Sequence, residues 1–286
     1  MNASLGLFLG ILALVTMGLG NAISKKPIRT FGPNKLMFWR GIFMSVILLG
    51  IVLLTGQFAH FSLKYALITV VISFIGYWPL YFFYKGMDLG KVGIVSPVSS
   101  IYTVFTAFLA MVAYQDRLTA TEIFAIAIII CGILLISIKF RDFKNSHLFQ
   151  KSSGIYYALL AAIGWGIYFF LIRIPVMEMG AVLTSYLEET MMLGIVFIIL
   201  LFNKDRVEKP TFTNIKPVLA ISLLSIVGVM AYYQGIKIYS LSIMTALAAA
   251  GPLVVCIYGA FVYREKLELK QYIAIVIILF GIMMLR

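Results

Sequence analysis

Apolar runs of roughly twenty residues follow one another along almost the whole chain, with spacers too short to form domains of their own. The hydrocarbon core of a bilayer is about 30 Å thick and takes roughly 20 residues of helix to cross. About ten runs meet that length, near residues 5–23, 36–54, 65–84, 92–113, 119–138, 154–172, 181–202, 217–239, 242–262 and 269–285. Apolar residues make up 62% of the 286, more than one soluble core of that size buries. The expected fold class is all-α: a polytopic integral membrane protein of the cell membrane with ten transmembrane helices. The first run is expected to stop at Lys25-Lys26-Pro27, where two charges and a proline close the helix. It has no cleavage motif after it and is expected to be a retained helix.

The runs also repeat. Phe83-Tyr84-Lys85-Gly86-Met87-Asp88 is answered by Tyr232-Tyr233-Gln234-Gly235-Ile236-Lys237, and Tyr114-Gln115-Asp116-Arg117-Leu118 by Tyr263-Arg264-Glu265-Lys266-Leu267, both 149 residues apart. Gly6 with Gly154, Gly18 with Gly166, Pro27 with Pro175 and Gly32 with Gly180 lie 148 apart. A one-residue insertion before the third run of the second half reconciles the two spacings. The longest polar connector falls near the midpoint, which divides the chain into a first five-helix repeat (1–140), a connector (141–153) and a second five-helix repeat (154–286). Five is odd, so the second repeat must enter the membrane from the opposite side. That is the inverted plan of many secondary transporters, with a binding site near the midplane where the halves meet.

Of the 23 lysines and arginines, seventeen fall in connectors on one side of the runs, five on the other, and Arg40 inside the second run. The positive-inside rule puts the crowded side in the cytoplasm and both termini outside. The net charge of +12 is scattered over short spacers and forms no soluble face, so no nucleic-acid partner is expected. The partners are the bilayer and a small-molecule solute, and a monomer is sufficient. Cys131 and Cys256 sit inside apolar runs as small hydrophobes, and His60 and His147 are isolated in connectors. There is no phosphate-cradling Gly-x-x-x-x-Gly-Lys and no nucleophile with a base beside it. No metal, no cofactor and no enzymatic activity are expected.

The stretches Gly76-Tyr77-Trp78-Pro79-Leu80-Tyr81-Phe82-Phe83-Tyr84-Lys85-Gly86, Tyr102-Thr103-Val104-Phe105-Thr106-Ala107, Tyr114-Gln115-Asp116-Arg117-Leu118-Thr119 and Gly132-Ile133-Leu134-Leu135 resemble an EamA domain of the drug/metabolite transporter superfamily. Gly251-Pro252-Leu253-Val254, Tyr263-Arg264-Glu265-Lys266-Leu267 and Leu279-Phe280-Gly281-Ile282 resemble a second such domain. The resemblance implies a ten-helix carrier of small organic solutes such as amino acids, nucleotide precursors, choline-like cations or drugs, often an exporter. It also implies cytoplasmic termini, opposite to the charge count. One departure stands out: the family's proline thirteen residues before the acidic turn residue is Pro252 in the second half but Thr103 in the first. Pro97 comes earlier, so the fourth helix is expected to bend elsewhere than the ninth.

Ionisable residues inside apolar runs are functional candidates by default. Glu188 and Glu189 lie about seven residues into the seventh run, on the order of 10 Å deep at 1.5 Å per residue. Adjacent helical positions face about 100° apart, so one carboxylate is expected to face a cavity while the other pairs or snorkels. At the 148 spacing Glu188 corresponds to Arg40. Inversion would set those two at depths roughly 10 to 15 Å apart, so direct pairing is not expected. Glu188 or Glu189 is expected to attract a cationic group or a coupling proton, and Arg40 an anionic group. Aromatic faces attract ammonium groups, which makes Trp78, Tyr81, Tyr102, Trp165 and Tyr168 candidates for the cavity wall. Tyr84, near a helix end, is expected to be an interfacial residue.

Overall fold

The computed structural model describes residues 2–90, 92–137, 154–204, 206–207, 209–262, 264 and 267–285, and of residues 2, 3 and 137 the backbone alone. The connector at 141–153 lies outside the described residues. Among them every regular element is helical: α1 (Asn2–Phe31), α2 (Pro33–Thr55), α3 (Leu63–Leu89), α4 (Val92–Ser99), α5 (Tyr102–Ala113), α6 (Ala120–Ser137), α7 (Gly154–Leu171), α8 (Arg173–Met179), α9 (Ala181–Phe202), α10 (Phe212–Ile238), α11 (Leu241–Ala249), α12 (Pro252–Val262) and α13 (Leu269–Met284), with a short 3-10 turn at Gln57–His60. Eight spans are long and apolar enough to cross a membrane, α4 with α5, α7 with α8 and α11 with α12 each forming one. The two remaining apolar helices, Ala120–Ile136 and Leu269–Met284, are shorter.

Several boundaries differ from expectation, α3 running on to Leu89 and α10 starting at Phe212, and two differences are informative. α1 continues through Lys25, Lys26 and Pro27 to Phe31: the proline removes one backbone hydrogen bond and crowds the carbonyl four residues back, which a long helix can absorb as a kink, and charged side chains can reach water without ending the helix. What stops α1 is Gly32, whose φ of 75° is open to glycine and costly for other residues. Pro33 then starts α2. The second repeat turns the same way at Gly180, φ 84°. The second difference lies in the fourth span. Despite Pro97, it breaks at Ser100 and Ile101, between α4 and α5, and the span of α11 and α12 breaks at Ala250 and Gly251. The tight turn is the same in both: Ile101 N–H bonds Val98 O, and Ala250 N–H bonds Leu247 O. In the first repeat Ser99 and Ser100 hydroxyls both donate to Ser96 O, and such back-bonding bends a helix without a proline at the break.

The packing follows the repeat. α1 lies along α10 and α7 along α3, while α2 meets α9 and α6 meets α13. In the last pair, a Cβ at Gly132 would lie 2.5 Å from Ile278 Cγ1 and 3.2 Å from Ala274 O; a Cβ at Gly281 would lie 2.8 Å from Ile129 Cγ1 and 3.1 Å from Ala125 O. Each contact is the other moved by 149 residues. Numbers rise along one helix as their partners fall along the other, so these equivalent helices meet antiparallel, about a two-fold axis lying across them. A side chain in this seam must displace its neighbour, and overpacking typically costs about 1–3 kcal/mol. Gly132→Val and Gly281→Val are expected to lower thermal stability in mild detergent by similar amounts, because they strike two equivalent contacts of one seam.

Candidate functional site

Between the halves lies a chamber of about 150 Å³. α3 supplies Gly76, Leu80, Phe83 and Tyr84, positions that share one face of a helix. α9 supplies Glu188, Glu189 and Met192, α2 supplies Arg40, and α1 supplies Asn21 and Ser24. The breaks in the two discontinuous spans also open onto the chamber, through Ser99 and Ser100 on one side and Gly251 and Pro252 on the other.

The ionisable groups are buried: Arg40 is 7% exposed and each glutamate 3%. The adjacent carboxylates turn to different partners. Glu189 takes Arg40 in a two-pronged ion pair, Nη2 donating to Oε1 at 2.9 Å and Nη1 to Oε2 at 3.2 Å. Arg40 does not bond Glu188, in line with expectation, and takes the adjacent glutamate instead. Depth along the helix axes did not point to that partner, because it leaves out side-chain length and the close approach of the helices. Gly41 has no side chain, so Leu193 of α9 comes within 3.2 Å of where its Cβ would be, and two long side chains span what remains. A planar guanidinium fits a carboxylate in this geometry.

Glu188 takes hydroxyls. Tyr168 donates to its Oε1, Tyr233 donates to its Oε2 at 2.5 Å, and the two phenol oxygens are 2.7 Å apart. The backbone around both charges is held by mirrored serines. Ser73 Oγ donates to Glu188 O at 3.3 Å, and Ser222 Oγ, its counterpart at 149, donates to Arg40 O at 3.5 Å. The aromatic wall is built from rings in mutual contact: Trp165 on Phe83 with centroids 4.9 Å apart, and Tyr102 stacked on Phe169 at 4.8 Å.

Of the aromatic candidates, Tyr102, Trp165 and Tyr168 line the chamber, while Trp78 and Tyr81 do not. Those two lie on a lateral groove with Tyr77 and Phe74, and Trp78 is 44% exposed. Depth alone suggested them; the helical period decides against them, since Trp78 is two residues from Gly76 and so about 200° around α3. Two tyrosines that the sequence argument did not select for the cavity wall are in the chamber: Tyr84, expected at the interface but 3% exposed, and Tyr233. A signal for both existed, since Tyr84 and Tyr233 are equivalent at the 149 spacing just as Arg40 and Glu188 are at 148. Among the described residues no group of three or more His, Cys, Asp or Glu is gathered to hold a metal ion.

A second, larger cavity of about 840 Å³ lies toward the basic connectors, where Lys25, Lys26, Arg29 and Lys270 line it together with Glu268. It shares Pro252 with the chamber, and Ser24 of the chamber is next in sequence to Lys25.

Residues 4–138 and residues 152–286 each match the EamA-like transporter family. A crystal structure of another protein superposes with a TM-score of 0.77 over 99% of this chain and 95% of its own, at 13% identity. At that identity it shows a shared fold alone. No curated protein matches the chain.

Proposed function

The chain belongs to the EamA-like transporter family, and on that premise we propose that this multi-pass integral membrane protein is a secondary transporter exporting a small amine-bearing metabolite, an amino acid or a related compound. All ten apolar helices cross the membrane, the repeats are inverted, and the basic connectors face the cytoplasm. The solute binds in the chamber and passes through unchanged as the halves rock around it.

Glu188 carries this reading. Arg40 and Glu189 neutralise each other, whereas the side chain of Glu188 is bonded to two neutral hydroxyls. The chamber wall therefore holds a carboxylate whose bonded partners bring no positive charge. An ammonium group supplies that charge, and the ring faces of Tyr102, Trp165 and Phe169 add cation-π attraction of about 0.5 to 2 kcal/mol. A proton satisfies the same carboxylate. Competition between amine and proton for Glu188 couples the two, since one must leave before the other binds. The aromatic wall also suits a quaternary ammonium, and uptake of a choline-like cation is the second reading.

The test is solute movement in proteoliposomes, with a panel of amino acids, choline-like amines and nucleosides, each with and without an imposed pH gradient. At least one amine-bearing solute is expected to move faster than in empty liposomes, and the gradient is expected to change its rate. A panel that moves throughout at the empty-liposome rate rejects the carrier reading. Movement of nucleosides with no amine moving rejects the amine assignment.

A further inference from the structure

The two repeats are near-equivalent in packing, but the two ends of the molecule are not in the same state. At the basic end, Val92, Gly93 and Ile94 at the start of α4 and Cys256 of α12 line the large outer cavity. Their counterparts 149 residues away are Leu241, Ser242 and Ile243 at the start of α11 and Ala107 of α5. Here the first three are 0% exposed and Ala107 is 6% exposed. One end is open where the other is packed shut.

The shut end is tied by a bond between halves. Asp116 follows α5 through a turn in which Gln115 has a φ of 51°, a left-handed conformation uncommon outside glycine. Asp116 Oδ2 then accepts from Ser240 Oγ at 2.8 Å, from Ser242 Oγ at 2.8 Å and from the Ser242 backbone N–H at 3.0 Å. Ser240 in turn caps α11, its hydroxyl oxygen accepting from Ile243 N–H at 3.2 Å. A carboxylate at a helix N-terminus meets N–H groups that have no partner in the helix, and the positive end of its dipole. Hydrogen bonds to an ionised acceptor are also roughly twice as strong as neutral ones. The turn itself is common to both ends, since Arg264, the counterpart of Gln115, has a φ of 54°. The serine donors are not, because the counterparts of Ser240 and Ser242 are Lys91 and Gly93.

We propose that Asp116 is the latch of the end opposite the basic connectors. It holds α11 of the second repeat against the turn after α5 of the first, keeps that end closed, and leaves the chamber facing the basic end. The latch must open once in every transport cycle, and in this the inference rests on the rocking carrier proposed above.

Cys256 is a native reporter of the open end, and Cys131, which is exposed, is silenced by Cys131→Ala. In lipid nanodiscs both ends meet a membrane-impermeant, charged methanethiosulfonate. With Asp116 intact, Cys256 is labelled, and a cysteine introduced by Ala107→Cys in a Cys256→Ala background is protected. Asp116→Asn, and separately Ser242→Ala, is expected to slow labelling at 256 and speed it at 107, each by on the order of tenfold, the scale of one hydrogen bond to a charged group. Labelling that rises at both positions reports loosening and overturns the proposal, as does a change at only one position or at neither. No solute takes part, so a failed solute screen with reciprocal labelling removes the carrier assignment and keeps the latch. A moving solute without reciprocal labelling removes the latch alone.

Discussion

Arg40→Ala is expected to destabilise the folded protein by about 3–5 kcal/mol, the cost of leaving a buried charge without its partner. Glu189 is 3% exposed and takes both of its hydrogen bonds from Arg40, so truncating the arginine strands a buried carboxylate without its counter-charge. Glu189→Gln is expected to be comparably damaging from the other side. Removing both charges in Arg40→Met/Glu189→Leu is expected to restore most of the loss, because a buried ion pair often yields to an apolar pair of similar volume at little cost. Thermal unfolding in mild detergent of the two single variants and the double gives the coupling directly. If the double falls by the sum of the singles, the two residues are not energetically paired and the geometry of this crossing is wrong.

Glu188→Gln is expected to cost transport far more than it costs folding. The amide matches the carboxylate in shape and Gln keeps one acceptor, so one of the two tyrosine hydroxyls still has a partner. The other meets an NH₂ group and must turn to accept from it. What disappears is the negative charge proposed to draw the amine. Truncating one side of a buried charged hydrogen bond costs about 2–5 kcal/mol, and at 1.4 kcal/mol per tenfold that is a loss of apparent affinity of roughly 30-fold to several thousand-fold. The response to a pH gradient is expected to vanish with it. Tyr168→Phe and Tyr233→Phe keep the charge and remove one donor each, so they are expected to weaken transport less and to preserve the pH response. Counterflow of the solute found in the screen, measured at several external pH values, separates these outcomes. Wild-type transport by Glu188→Gln would place the amine elsewhere in the chamber.

The all-helical, membrane-spanning character of the chain was legible because a run such as 92–113 needs nothing but its own length and apolarity to declare itself. The duplication was legible from glycines, since Gly32 and Gly180 are demanded by the same left-handed turn in each half. What depth and composition could not supply was direction around a helix and reach across a gap. Trp78 and Tyr81 look as central as Phe83 along the chain but lie on other sides of α3, and lipid takes an aromatic as readily as a cavity does. That Arg40 takes Glu189 and leaves Glu188 to the tyrosines depends on where each side chain points and how far it reaches, which spacing along the chain does not carry. The bond from Asp116 to Ser240 and Ser242 joins residues over 120 positions apart, and no local pattern announces such a contact. Pro97 misled for a related reason: the serines around it bend the span further on.

The mirrored serines at Ser73 and Ser222 mark where the two halves exchange places, and the bridge from Arg40 to Glu189 sits beside them. If the halves rock as proposed about an axis through this crossing, atoms would travel in proportion to their distance from it, so the start of α4 and the start of α11 would sweep widely while the bridge would hardly shift. The pair would then serve as a fulcrum, made once and kept through the motion.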